Sequence, residues 1–177
     1  MIGVLVSGEG SNLQALLDAG LPVAAVASSR PGVRALERAA AADVPAAAFP
    51  LDDYADREQR DRTMANWLQE QGVRLVVCAG YMHVLTGGFL DRFPGRIVNV
   101  HPSLLPDFPG ARAVDEALAA GVETTGVTVH LVDEGLDTGA IVRQEPVPVE
   151  PRDTLLERIP AVEHRLLPEV VGELCAR

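Results

Sequence analysis

Four runs of apolar, strand-prone residues, at 2–7, 23–27, 73–79 and 97–100, are separated by segments whose apolar residues recur at helical spacing. Runs as continuous as 73–79 suit strands buried on both faces, and strands that alternate with helices are joined by crossovers. The expected fold class is therefore α/β: a Rossmann-like, mostly parallel (mixed) twisted sheet with helices on both faces. A length of 177 residues fits a single domain, 1–177, around one sheet.

The connecting segments can be read in the same way. A glycine turn at 8–12 precedes a helix from Leu13, with Ser11 or Asn12 as its cap. Residues 33–42 predict a helix and 46–49 an edge strand. Residues 56–71 predict a surface helix whose arginines, Arg57, Arg60 and Arg62, are mostly expected in solvent. A helix at 113–120 stops at Gly121, and a strand at 125–132 is followed by one at 140–149 that returns antiparallel to it. From Thr154 the chain reads as helical, kinked or divided at Pro160 and Pro168.

Charge narrows the partners. A net charge of −10 argues against a nucleic-acid-binding surface or an anionic membrane surface. All fifteen basic residues are arginine, which excludes a lysine Schiff base and leaves Arg as the permanent cation for an anionic ligand. Cys78 and Cys175 have neither the number nor the spacing for a metal site or a disulfide framework. No apolar run approaches the ~20 residues that cross a bilayer, and no basic leader precedes the first strand. A cytoplasmic protein without metal is expected.

Three loops carry chemistry. Gly8-Glu9-Gly10-Ser11-Asn12 leads into a helix whose first amides form an anion site. The dinucleotide fingerprint fails there, because Leu13 stands at its third glycine and Ser28-Ser29-Arg30 ends the second strand without an acid for a ribose. A phosphate fits better than NAD, and a plain capped turn remains the equal reading for this loop alone. In the central stretch, Asn99 and His101 share one strand face, and Pro102 leaves the histidine at the strand's C-terminal lip. The acidic loop 133–139 supplies Asp137. A carboxylate beside an imidazole favours the imidazolium, and with the Asn99 amide the pair would stabilise an oxyanion and move a proton, as acyl transfer to an amine requires. The segment 80–85 either lines a flat apolar pocket or packs on a neighbouring helix. His83, His130 and His164 read mainly as structural, with His130 the nearest to the site.

The glycine loop, Asn99-Val100-His101-Pro102-Ser103-Leu104-Leu105-Pro106 and Val132-Asp133-Glu134-Gly135-Leu136-Asp137-Thr138-Gly139 together resemble the phosphoribosylglycinamide formyltransferase family, in order and over nearly the whole chain. That resemblance implies transfer of a formyl group from 10-formyltetrahydrofolate, as co-substrate, to the amine of glycinamide ribonucleotide in purine synthesis, without metal. It implies His101 as general acid, Asn99 as polariser of the formyl oxygen and Asp137 as the group that keeps His101 protonated. It implies Gly10, Ser11, Asn12 and Leu13 around the phosphate, and Glu163 at the glycinamide or ribose end. Arg57, Met82, His83, Val84 and Leu85, with Asn99, would border the folate.

A monomer or homodimer is expected, with no nucleic-acid or membrane partner. Pro160 stands where the family often has a long polar or basic side chain, and the chain is shorter than many relatives. Methionyl-tRNA formyltransferase shares the central motif but carries a further C-terminal domain, for which this chain has no room. Formyltetrahydrofolate hydrolase and a non-catalytic α/β module that binds a phosphorylated metabolite are the alternatives.

Overall fold

In the computed structural model, which describes residues 1–176, the apolar runs become neighbouring strands of one sheet. In chain order the elements are β1 (Ile2–Val6), α1 (Ser11–Asp18), β2 (Val23–Ser28), α2 (Arg34–Ala41), β3 (Ala46–Ala48), α3 (Arg57–Glu70) and β4 (Leu75–Cys78). They continue with α4 (Gly87–Leu90), β5 (Ile97–His101), α5 (Ala113–Ala120), β6 (Thr124–Leu131), β7 (Ile141–Pro148) and α6 (Leu155–Cys175). The strand order is β3-β2-β1-β4-β5-β6-β7. The first five strands run parallel, while β6 is antiparallel to β5 and β7 to β6.

Every residue of β1 and β4 is buried, because helices cover both faces of the sheet. Leu13 and Leu16 of α1, Ala35 and Ala39 of α2, and the apolar side of α6 pack on one face. Met64, Ala65 and Leu68 of α3, with Phe89 and Phe93, pack on the other. The expected α/β class holds.

Local expectations fail in three places, each for a physical reason. The cap of α1 is Gly10, at φ 74°, and neither Ser11 nor Asn12 caps with its side chain. A Cβ at Gly10 would lie 2.7 Å from that of Ala35, so close packing of α2 on the loop, as well as the left-handed backbone, requires glycine. Arg60 is not in solvent. Its side chain and that of Asp61 are fully buried, with Arg60 Nε donating to Asp61 Oδ1 at 2.8 Å. Positions 60 and 61 lie four residues before the buried Met64 and Ala65, so helical periodicity carries them inward despite their charge. Finally, α6 is not divided at Pro160 or Pro168, because Leu155, Ile159, Leu166, Leu167, Val170 and Val171 anchor its apolar side to the sheet.

Among the described residues, no helix is long and apolar enough to cross a membrane.

Candidate active site

Strand β5 delivers Asn99 and His101 to the C-terminal edge of the parallel strands, the side on which open α/β sheets bind ligands. The His101 ring is buried, 4% exposed as a residue. Its Nε2–H donates to the carbonyl of Phe108 at 2.8 Å, and its Nδ1 lies 3.4 Å from Asp137 Oδ2. Both ring nitrogens therefore face oxygen acceptors, an arrangement that a doubly protonated ring satisfies. Phe108 and Asp137 both hold left-handed backbone, at φ 52° and 55°. Beneath them the buried Thr128 hydroxyl fixes the turn after β5: it donates to Ser103 O at 2.7 Å and accepts from the Leu105 amide at 3.1 Å.

Asp137 is a junction. Its Oδ2 accepts from the Gly110 amide at 2.8 Å, and its Oδ1 lies 3.5 Å from Asn99 Nδ2 and from His130 Nε2. The hydrogen bond from His130 holds the Asp137 carboxyl below the usual carboxylate range, helped by the Gly110 amide and the two imidazoles and opposed by burial. His130 faces Asn99 directly across the β5–β6 pair. Its Nδ1–H donates to Leu131 O at 2.8 Å, and its Nε2 sits 3.2 Å from Asn99 Nδ2. When bare, that nitrogen accepts from the amide; when protonated, it donates to the carboxylate.

A carboxyl whose folded pKa is depressed stabilises the fold at pH above its unfolded value of about 3.9, and that contribution fades as pH falls through the folded value. Asp137→Asn should therefore melt below the parent protein at pH 7, and the gap should narrow as pH falls from about 3.9 through the folded value. Melting curves across that range check this; a gap that is constant with pH would mean the carboxylate charge contributes nothing.

The glycine loop joins β1 to α1, where the first intrahelical bond runs from Gln14 N to Gly10 O, leaving the amides of Ser11, Asn12 and Leu13 without helical acceptors. The Leu13 side chain is fully buried in the core, which leaves only its backbone amide for a ligand. The Asn12 side chain is turned to the far end of the site: its Nδ2 donates to Glu163 Oε2 at 2.9 Å, and its buried Oδ1 has no partner. Burial pushes the Glu163 carboxyl up, against the Asn12 hydrogen bond.

The segment after β4 closes the other end. Leu85 is buried, while Met82 and Val84 are exposed. Arg57 does not stand free: its Nη2 donates to Val84 O at 2.5 Å, clamping this segment to α3. His83 packs against Tyr81, with ring centroids 5.5 Å apart. Burial lowers the His83 pKa, with the Arg60 and Arg57 charges acting the same way.

Asn99, His101, Asp137, Asn12 and Glu163 share a cavity of about 320 Å³ with segment 82–85. Gly10, Ser11, Leu13 and Arg57 lie outside its lining. His130, which reads in the sequence as mainly structural though nearest the site, lines the same cavity. The Gly110 amide and the Phe108 carbonyl gave no signal there, since backbone groups are invisible in a side-chain pattern.

Residues 1–171 match the family model described as Formyl transferase. The chain is 44% identical over 98% of its length to the trifunctional purine biosynthetic protein adenosine-3 of Drosophila melanogaster, of which it spans only 14%. It is 47% identical to the phosphoribosylglycinamide formyltransferase of Mycobacterium tuberculosis, covering 97% of this chain and 83% of that one. The crystal structure of glycinamide ribonucleotide transformylase 1 from Symbiobacterium toebii superimposes with a TM-score of 0.93 at 47% identity, over 96% of this chain and 84% of its own.

Proposed function

Since this chain belongs to the formyl transferase family, we propose that it transfers the formyl group of 10-formyltetrahydrofolate to the amine of glycinamide ribonucleotide. The observation that carries this reading is the Asn99, His101 and Asp137 cluster. It combines an amide, an imidazole and a carboxylate in one cavity, between a loop of unpaired amides and a largely apolar segment.

In the proposed reaction the amine nitrogen bonds to the formyl carbon, and the carbonyl electrons move onto oxygen. Asn99 Nδ2 donates to that oxygen, and so does His101 Nδ1–H, which turns to it from its long 3.4 Å contact with Asp137 while Nε2–H stays on Phe108 O, the electrostatic aid that such a tetrahedral intermediate needs. The bond from carbon to N10 of the folate then breaks, N10 takes up a proton, and the former amine gives one up. Asp137, ionised and bonded to its neighbours, holds His101 charged as the general acid and organises a water that carries the amine's proton on to N10.

The backbone amides of Ser11, Asn12 and Leu13, with Gly10 shaping the turn, hold the phosphate. Glu163 and the free Oδ1 of Asn12 take donors from the glycinamide or ribose end. Met82, His83, Val84 and Leu85 border the folate, and Arg57 acts there by holding Val84. The cytosol is the matching compartment, where Cys78 and Cys175 stay free thiols.

The test follows loss of 10-formyltetrahydrofolate with and without glycinamide ribonucleotide. Turnover that requires the amine supports transfer. Formate released without it would make the chain a hydrolase, and ribonucleotide binding with no turnover would make it a binding module.

Glu163→Gln separates binding from stability. A carboxyl whose folded pKa is raised costs stability as pH climbs from the unfolded value of about 4.3 through the folded one, and an amide removes that cost. At pH 7 the variant should melt no lower than its parent while binding the ribonucleotide about tenfold more weakly, the loss of one charge-assisted hydrogen bond. Calorimetry and titration read the two effects, and an unchanged Kd would remove Glu163 from the site.

A further inference from the structure

The segment that borders the proposed folate end is tied down at three backbone positions. Two ties go to α3: Arg57 Nη2 to Val84 O, and the Thr86 amide to Asp61 Oδ2 at 2.8 Å. The third goes elsewhere. The Met82 amide donates to Ser7 Oγ at 3.0 Å, and Ser7 is the residue immediately before the glycine loop.

Ser7 lies at the C-terminal end of the central strand β1, with β2 on one side and β4 on the other. Its hydroxyl also shares a hydrogen bond with Ser29 Oγ at 2.7 Å, just past the end of β2. Its carbonyl accepts from Arg30 Nε at 3.1 Å and again from Arg30 Nη2. Both serines are buried, Ser7 at 2% exposed, and Ser7 is absent from the cavity lining. One hydroxyl thus joins the loop that would hold the phosphate to the loop that would border the folate. Its other bonds fix it between them.

We propose that Ser7 is a positioning residue that couples the two substrate subsites: a ligand that orders the glycine loop fixes the Ser7 hydroxyl, which holds the Met82 amide and sets segment 82–85 for the second ligand. The proposal rests on the two-substrate reading above. Coupling of this kind is reciprocal, so each ligand tightens the other by the same factor. A single buried hydrogen bond limits that factor to about threefold to tenfold.

The experiment titrates tetrahydrofolate, which has no formyl group to transfer, into the protein with and without saturating glycinamide ribonucleotide. The parent protein should bind tetrahydrofolate about threefold to tenfold more tightly when the ribonucleotide is present. In Ser7→Ala that ratio should fall to about one, Ser7→Thr should restore it, and Ser29→Ala, which leaves the Met82 tie in place, should keep most of it. A merely structural serine would weaken both bindings and leave the ratio alone. Independently of any variant, the ribonucleotide alone should slow hydrogen exchange at the Met82 amide of the parent protein.

Binding of both ligands with no mutual effect in the parent protein, or a ratio unchanged in Ser7→Ala, overturns the coupling. Failure of the parent protein to bind either ligand overturns the two-substrate reading beneath it.

Discussion

His101→Ala should lower turnover about 10²–10³-fold, and Asn99→Ala by a similar factor, which is the usual effect of removing one donor at a developing oxyanion. Both residues lie at the rim of the sheet, with their side chains bonded to groups around the cavity, so the loss should fall on catalysis more than on folding. His101 contacts Phe108 O and Asp137, and Asn99 contacts His130 and Asp137. Because the two side chains act on one oxygen, the double variant should lose little more than the worse single one. Steady-state rates with both substrates, alongside melting temperatures, decide the matter. A folded His101→Ala protein within tenfold of parental kcat would sink the assignment.

Gly139→Ala should be nearly as damaging without touching a reacting group. A Cβ at that position would lie 1.8 Å from the Leu131 carbonyl oxygen and 2.7 Å from its carbon, and strand backbone cannot move aside as a side chain can. The loop between β6 and β7 must shift instead, and Asp137 sits only two residues away. A displacement of about 1 Å at catalytic groups can cost about 10² in rate, whereas overpacking of this kind typically costs about 1–3 kcal/mol in stability. The expected result is a folded protein with a modestly lower Tm and about 10²-fold slower turnover. Parental turnover would mean that Asp137 is held from elsewhere.

The sequence made the sheet legible because its strands are long enough and apolar enough to allow little else, as in Val76, Val77 and Cys78. It also placed Asn99 and His101 on one face, since period-two geometry needs only the run itself. What it could not show depends on tertiary partners. Arg60 reads as a surface charge until helical spacing sets it beside Met64 and Asp61 supplies its counter-charge. Arg57 reads as a free cation until the Val84 carbonyl is seen against it. His130 becomes part of the site through a strand register that no local pattern states. Asn12 turned out to face Glu163, 151 residues away in the chain, a distance at which local reasoning says nothing.

The left-handed conformations at Phe108 and Asp137 bear on how this pocket can change over time. Such torsions cost of the order of 1–3 kcal/mol each, so they persist only where the surroundings enforce them. What Phe108 offers His101 is a peptide oxygen, available from any residue that can bear the same bend, glycine most readily. What Asp137 offers is its own carboxylate, for which no relaxed substitute exists. The two flanks of one imidazole therefore stand under unequal constraint: one is free to trade identity for comfort, and the other is obliged to carry its bend for as long as the chemistry lasts.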